Sequence, residues 1–163
     1  MRKILITLLC LLALPAAAHD YKLGDLFIGH IWAPETTPKA HNGVAYVPLR
    51  NDGKTDDTLE SASTDVAEKV EFHETIISDG IAKMRPLGPI VIAPGKTVEL
   101  KPGGKHMMLV GLKKQIVDGE KFDMVLHFAK AGDITVSVHV QKKAPSGGHD
   151  HGGHDMEHMH HGD

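Results

Sequence analysis

The sequence predicts an all-β fold, and three observations carry that prediction. Apolar and polar residues alternate with a period of two over most of the stretch between residues 26 and 141. Gly, Pro, Asn and Asp recur at short intervals between these alternating runs, as they do in antiparallel sandwiches and barrels. No window of helical length is convincingly amphipathic. The roughly 120 residues involved are enough for one domain with one core.

The predicted strands are short and follow one another closely. The two nearest the C-terminus alternate most cleanly, because Phe122, Met124, Leu126 and Phe128 fall on one face of the first. The complete set covers residues 26–32, 44–49, 58–62, 70–74, 80–84, 98–100, 105–112, 122–128 and 134–141.

The N-terminus has the pattern of a cleaved secretory signal, residues 1–18. Arg2 and Lys3 precede an apolar run over residues 4–14, and residues 16–18 form an A-x-A site that would leave His19 as the new N-terminus. The run is too short to span a bilayer, although an uncleaved anchor is the alternative. We therefore expect an exported protein with no membrane insertion after cleavage.

Cys10 is the only cysteine, and it lies inside the predicted signal. Residues 7–9 make a poor lipobox, so we do not expect a lipid anchor there. Cleavage would leave no thiol, which suits an oxidising compartment. It would also change the formal net charge from −3 to −5 through the loss of two basic residues. This charge gives no indication of a nucleic-acid partner.

The C-terminal residues 142–163 change composition abruptly. A Pro-, Ser- and Gly-containing linker leads into residues 149–163, which carry six histidines and no aliphatic residue to bury. We expect this tail to be disordered without metal and to bind Cu(II) through imidazole, a plain solvated tail being the alternative. Its candidate ligands are His149, His151, His154, Met156, His158, Met159, His160 and His161.

A second candidate metal site lies within the predicted strands. On the strand 105–112, His106 and Met108 share one face, while Met107 and Leu109 share the other. An imidazole and a thioether on one face suit a soft ion, chiefly Cu(I). The same two residue types occur upstream as a second pair. The four predicted ligands are His73, Met84, His106 and Met108, with the spacing H-x10-M-x21-H-x-M.

With this spacing and its flanks, the sequence resembles the periplasmic copper chaperones of the PCuAC family. The matching stretches are residues 47–53, 70–75, 84–86, 98–104 and 106–112, and the resemblance covers roughly residues 22–141. It implies a cupredoxin-like Greek-key β-sandwich over residues 19–141 that carries Cu(I). It also implies delivery to the binuclear copper centre of cytochrome c oxidase subunit II, or to another copper chaperone.

The remaining candidate residues receive structural interpretations. Met107, Met124 and Trp32 are predicted in the core. The other histidines of the domain lie on presumed polar faces or loops, and we interpret them as surface residues: His30, His41, His127 and His139.

Three alternatives to a copper carrier follow from the same residues. A blue-copper electron carrier is excluded, because it needs a Cys thiolate and the mature chain has none. A copper enzyme could use the amine and imidazole of His19, but no Ser/His/Asp or paired-acid arrangement stands out, and we expect a binding protein. A periplasmic copper buffer would use the same ligands as a chaperone. We expect a monomer in either case.

Overall fold

The computed structural model describes residues 20–78 and 80–142, which form an all-β protein of two sheets. Within that range there is no helix, and so none long and apolar enough to cross a membrane. The strands are β1 (Tyr21–Leu23), β2 (Leu26–Ile28), β3 (Trp32–Pro34), β4 (Asn42–Ala45), β5 (Val47–Asn51), β6 (Asp57–Thr64), β7 (Ala67–Ser78), β8 (Ile81–Pro86), β9 (Ile90–Ile92), β10 (Thr97–Leu100), β11 (Lys105–Leu112), β12 (Lys121–Phe128) and β13 (Gly132–Gln141).

The larger sheet has eight strands in the order β1-β2-β5-β10-β11-β7-β8, with β4 also paired to β11. The smaller sheet has the order β3-β13-β12-β6-β9. Neighbouring strands are antiparallel except for β10 with β11 and β13 with β3. The predicted fold class, an all-β sandwich, is confirmed.

The core lies between the two sheets and is built by the period-two alternation. From the larger sheet, Met107 and Leu109 are completely buried, and Phe72 is 6% exposed. Met124 and Leu126 of the smaller sheet are also completely buried. The predicted core positions of both methionines are thus confirmed, as is that of Trp32, which is 8% exposed.

Two predicted strands are each divided in the structure. The first, over residues 26–32, breaks at Gly29, whose amide donates to the Pro48 carbonyl at 2.9 Å. A Cβ at Gly29 would lie 2.6 Å from Pro48 Cγ, so the chain can approach this closely only with glycine. The chain then passes from β2 in the larger sheet to β3 in the smaller one. The second, over residues 44–49, breaks at Tyr46, which bridges back to Trp32.

The four histidines interpreted as surface residues differ in exposure, and His41 is exposed. His30, His127 and His139 are half-buried. The rings of His30 and His139 are 5.0 Å apart, and His127 contacts both Ser63 and Asp133. Alternation does place His139 on the outer face of its strand, but neighbouring side chains cover that face.

Candidate metal centre

The pairing of β7 with β11 places two predicted ligands at directly opposite positions. His106 lies directly opposite His73 in the antiparallel register, and their ring centroids are 5.9 Å apart. The register is fixed because Phe72 pairs with Met107 and both point into the core. A slip by one residue would expose this core pair, so burial on one face fixes the two imidazoles on the other.

The imidazole of His106 is buried although it points away from the core between the sheets. It is 3% exposed, with the ring of Tyr46 at 6.5 Å on one side and that of His73 on the other. Trp32 packs on Tyr46 at 4.8 Å. Burial raises the pKa of the Tyr46 hydroxyl, which is consistent with a poorly hydrated wall beside the site.

Each of the two imidazoles has one ring nitrogen occupied and the other unpartnered. His106 Nδ1 lies 3.0 Å from the Gly104 carbonyl, and His73 Nε2 lies 3.0 Å from a carboxylate oxygen of Glu71. A carbonyl and a carboxylate only accept, so both of these nitrogens carry the proton. The other two ring nitrogens, His106 Nε2 and His73 Nδ1, are buried without a hydrogen-bond partner, and they carry the lone pair whenever the ring is neutral.

Unpartnered buried nitrogens of this kind are unfavourable unless something binds them. A buried polar atom without a partner costs about 1–3 kcal/mol. Histidines that bind metals commonly donate their other ring N–H to a carbonyl or a carboxylate, and both rings have such an acceptor here.

Glu71 is itself held in place and ionised. Lys69 Nζ lies 2.6 Å from its second carboxylate oxygen. The hydrogen bond from Lys69, and secondarily that from His73, lowers the pKa of the Glu71 carboxyl below its ordinary value. Strand alternation could have identified Glu71, since it lies two residues before His73 on the same face. The carbonyl of Gly104 and the ring of Tyr46 give no such signal in the sequence.

Met108 joins the two histidines on this face. It follows His106 by two residues and lies opposite Glu71, so it is a diagonal neighbour of His73. Residues in such diagonal pairs are about 7–8 Å apart, with their Cβ atoms somewhat closer, within reach of a long side chain. Met108 is half-buried, whereas Met107 is fully buried. The structure thus places His73, His106 and Met108 together.

Met84 lies on the same face but farther away. Met84 is 60% exposed and belongs to β8, the edge strand of the sheet, where it lies opposite Thr75 of β7. From Met108 to Met84 the register spans two strand spacings and four residues along β7, or about 16 Å between Cα atoms in a flat sheet. Met84 can join the other three only if the β7–β8 hairpin bends over the site.

The available donors favour a soft ion. Residues 20–78 and 80–142 contain no cluster of three or more His, Cys, Asp or Glu side chains that could hold a metal. The thioether of Met108 on the same face adds a soft donor to the two imidazoles, and a donor set of this kind suits Cu(I). A groove of about 540 Å³, lined in part by Glu60, Phe72 and Leu87, opens beside His73. The predicted tail ligands, His19 and Cys10 lie outside the described residues.

Similarity to known proteins agrees with this architecture. Residues 26–140 match the family model described as "Putative lipoprotein LpqE-like". The copper-bound PCuAC domain from PmoF2 is 26% identical with a TM-score of 0.67, covering 77% of this chain and 99% of that one. The solution structure of CuI-DR1885 from Deinococcus radiodurans is 28% identical with a TM-score of 0.57, covering 69% and 75%. The fold is thus of the PCuAC type.

Two curated relatives are similar over part of their length. "Putative lipoprotein Lxx21020" from Leifsonia xyli subsp. xyli is 31% identical over 98 residues, which are 60% of this chain and 59% of that protein. "Uncharacterized protein RP573" from Rickettsia prowazekii is 30% identical over 108 residues, 66% and 60% respectively. The chain thus spans about three fifths of the length of these relatives.

Proposed function

The chain belongs to the LpqE-like family, and we propose that it is a copper chaperone, which binds Cu(I) and passes it to another protein. One observation carries the proposal. The facing rings of His73 and His106 each hold one buried, unpartnered nitrogen, with the thioether of Met108 on the same face. Two similar structures, the PmoF2 domain and CuI-DR1885, are described as copper-bound and as the CuI form. The proposed ligands are His73, Met84, His106 and Met108.

This set of ligands suits a carrier rather than a permanent copper site. All four are neutral, so they hold the soft cation without the strong grip of thiolates, and a recipient with cysteine ligands can remove it. His73 is 17% exposed and borders the groove, and Met84 is largely exposed. Incoming ligands can therefore reach the ion from the side of His73 and Met84 while the buried His106 still holds it.

The recipient and the compartment follow from the resemblance to the PCuAC chaperones. We propose delivery in the periplasm to the binuclear copper centre of cytochrome c oxidase subunit II, or to another copper chaperone. The family description names a lipoprotein, whereas the poor lipobox before Cys10 predicts an unlipidated product of signal cleavage. Mass spectrometry of the mature N-terminus distinguishes these two outcomes.

We propose that the histidine-rich tail, residues 149–163, binds Cu(II). Six imidazoles with only two thioethers, Met156 and Met159, suit Cu(II) newly arrived in an oxidising compartment. Tethering would keep that ion at a high effective concentration near His73 and His106. Since the mature chain would have no thiol, an outside reductant must supply the electron that converts Cu(II) to Cu(I).

The proposal is tested by titrating the mature chain with Cu(I) against a competing chelator. The wild type should hold one Cu(I) far more tightly than the double variant His73→Ala/His106→Ala. His41→Ala, which removes an exposed histidine outside the site, is the matched control and should bind as the wild type does. Unchanged Cu(I) affinity in the double variant would show that the ion is held elsewhere.

A copper buffer is the second candidate, because the histidine-rich tail could store ions. A deletion strain separates the two functions. Loss of a carrier lowers oxidase activity when copper is scarce, whereas loss of a buffer raises sensitivity to excess copper. The enzyme alternative based on His19 requires cleavage after Ala18, so N-terminal sequencing with an oxidase assay tests it.

A further inference from the structure

We propose that Glu71 is a positioning residue that makes His73 bind copper through Nδ1, while His106 binds through Nε2. This inference rests on the proposed function and adds to it a specific mode of ligation. The two histidines would then contribute chemically different nitrogens to one ion, although both come from adjacent strands of one sheet.

The argument begins with which nitrogens are already engaged. Glu71 accepts the Nε2 proton of His73 at 3.0 Å, and the backbone carbonyl of Gly104 accepts the Nδ1 proton of His106 at 3.0 Å. The nitrogens left over, His73 Nδ1 and His106 Nε2, are the ones buried without a partner. The two ring centroids are 5.9 Å apart in an edge-to-face arrangement, so a single ion can lie between the rings, and these two nitrogens are the ones available to it.

The opposite mode, with Nε2 of His73 on the metal, requires the His73 ring to turn over. That rotation would break the hydrogen bond to Glu71 and would leave the carboxylate without its histidine donor. The carboxylate is kept in place by Lys69, whose Nζ is 2.6 Å from the other oxygen. Glu71 therefore stabilises one ring orientation, which is what a residue behind a metal ligand contributes.

In the proposed arrangement Glu71 is not itself a ligand. Its carboxylate bonds the nitrogen of His73 that is turned away from the unpartnered one, so Glu71 acts through the ring. The side chain of Glu71 is 38% exposed, which means that water competes for the hydrogen bond. We expect a moderate effect on affinity, within the roughly 10–100-fold typical of residues behind a metal ligand.

Glu74 provides a matched control on the same strand. It follows His73 directly and therefore points to the opposite face, where it pairs with Arg85 at 2.8 Å and Lys105 at 3.6 Å. Glu71→Ala and Glu74→Ala each remove one carboxylate from β7. Only the first of them removes a hydrogen bond to a proposed ligand.

The experiment uses the mature full-length chain labelled with ¹⁵N. Long-range ¹H–¹⁵N spectra identify the protonated ring nitrogens, and loss of signals in His73→Asn assigns that ring. Without copper, His73 should carry its proton on Nε2 and His106 on Nδ1. One equivalent of Cu(I) should shift His73 Nδ1 and His106 Nε2. Glu71→Ala should weaken Cu(I) binding about 10–100-fold, whereas Glu71→Gln, which still offers an accepting oxygen, should restore most of it. Glu74→Ala should match the wild type.

Several results would overturn the inference. A Cu(I)-induced shift at His73 Nε2 instead of Nδ1, or wild-type affinity in Glu71→Ala, refutes the role of Glu71 while the proposed copper function stands. If no ring nitrogen of His73 or His106 responds to Cu(I), the proposed function itself fails. The wild-type spectra distinguish these outcomes even where Glu71→Ala folds poorly.

Discussion

Met107 and Met108 are adjacent in sequence but point to opposite faces of β11, and replacing each by alanine should have opposite consequences. Met107 is completely buried in the core, between Phe72 of β7 and Ala45 of β4 in the register. Met108 is half-buried on the face of the proposed ligands. We expect Met107→Ala to lower the free energy of unfolding and Met108→Ala to lower the affinity for Cu(I).

The magnitude for Met107 follows from its burial. The substitution removes three side-chain heavy atoms, each worth about 0.8 kcal/mol by transfer from water, or about 2.4 kcal/mol together. The cavity that remains adds to this, so that the total for a buried methionine falls within about 2–5 kcal/mol. For a domain of about 120 residues, a loss of about 3 kcal/mol corresponds to a fall in Tm of roughly 10–15 °C.

Met108→Ala removes partly solvated atoms and leaves no closed cavity. Its effect on apo stability should stay below about 1 kcal/mol. Loss of one thioether from the proposed set should weaken Cu(I) binding at least about tenfold, which is about 1.4 kcal/mol. The two measurements are urea or thermal unfolding of the apo proteins and Cu(I) competition with a chelator.

The reasoning is refuted if the two variants exchange behaviour. A large loss of stability in Met108→Ala, with reduced copper affinity in Met107→Ala, would mean that the register of β11 is displaced by one residue. Equal affinities for Cu(I) in Met108→Ala and the wild type would remove Met108 from the ligand set.

Three further predictions concern other parts of the molecule. Met84→Ala should weaken Cu(I) binding less than Met108→Ala does. Cu(I) should slow amide hydrogen exchange in the β7–β8 hairpin of the wild type but not of Met84→Ala. Unchanged exchange rates in the wild type would mean that Met84 stays away from the ion. Truncation after Gln141 should abolish most Cu(II) binding and retain the Cu(I) affinity, both measured by chelator competition; intact Cu(II) binding would assign that ion to the folded domain. Asn51→Ala should lower the free energy of unfolding, measured in urea, by about 2–4 kcal/mol. Asn51 is 2% exposed, and its side-chain amide donates to the carbonyls of Thr55 and Ile92 and accepts from the Gly53 amide. A loss below about 1 kcal/mol would show that water replaces these bonds.

The fold class, and the opposite strand faces of Met107 and of His106 with Met108, were predictable from the sequence. Alternation with a period of two is a local property, since each side chain of a strand points opposite to its neighbours whatever the strand pairs with. The assignment of Met107 to the core and of His106 and Met108 to the other face therefore needed no tertiary information. The spacing of His73 and Met84 added the other two predicted ligands, and the resemblance added the cupredoxin-like topology.

The remaining features depend on contacts between residues that are distant in the chain. The break at Gly29 arises from its close approach to Pro48, and the burial of His106 depends on the ring of Tyr46. The sequence motif contains Met84 and Met108 alike. Only the strand pairing shows that Met108 lies beside the two imidazoles, whereas Met84 lies on an exposed edge strand. The choice of ring nitrogen depends on acceptors that alternation alone cannot place. Pairing register and hydrogen-bond partners are set only when separate strands meet, because neither is encoded in any single strand.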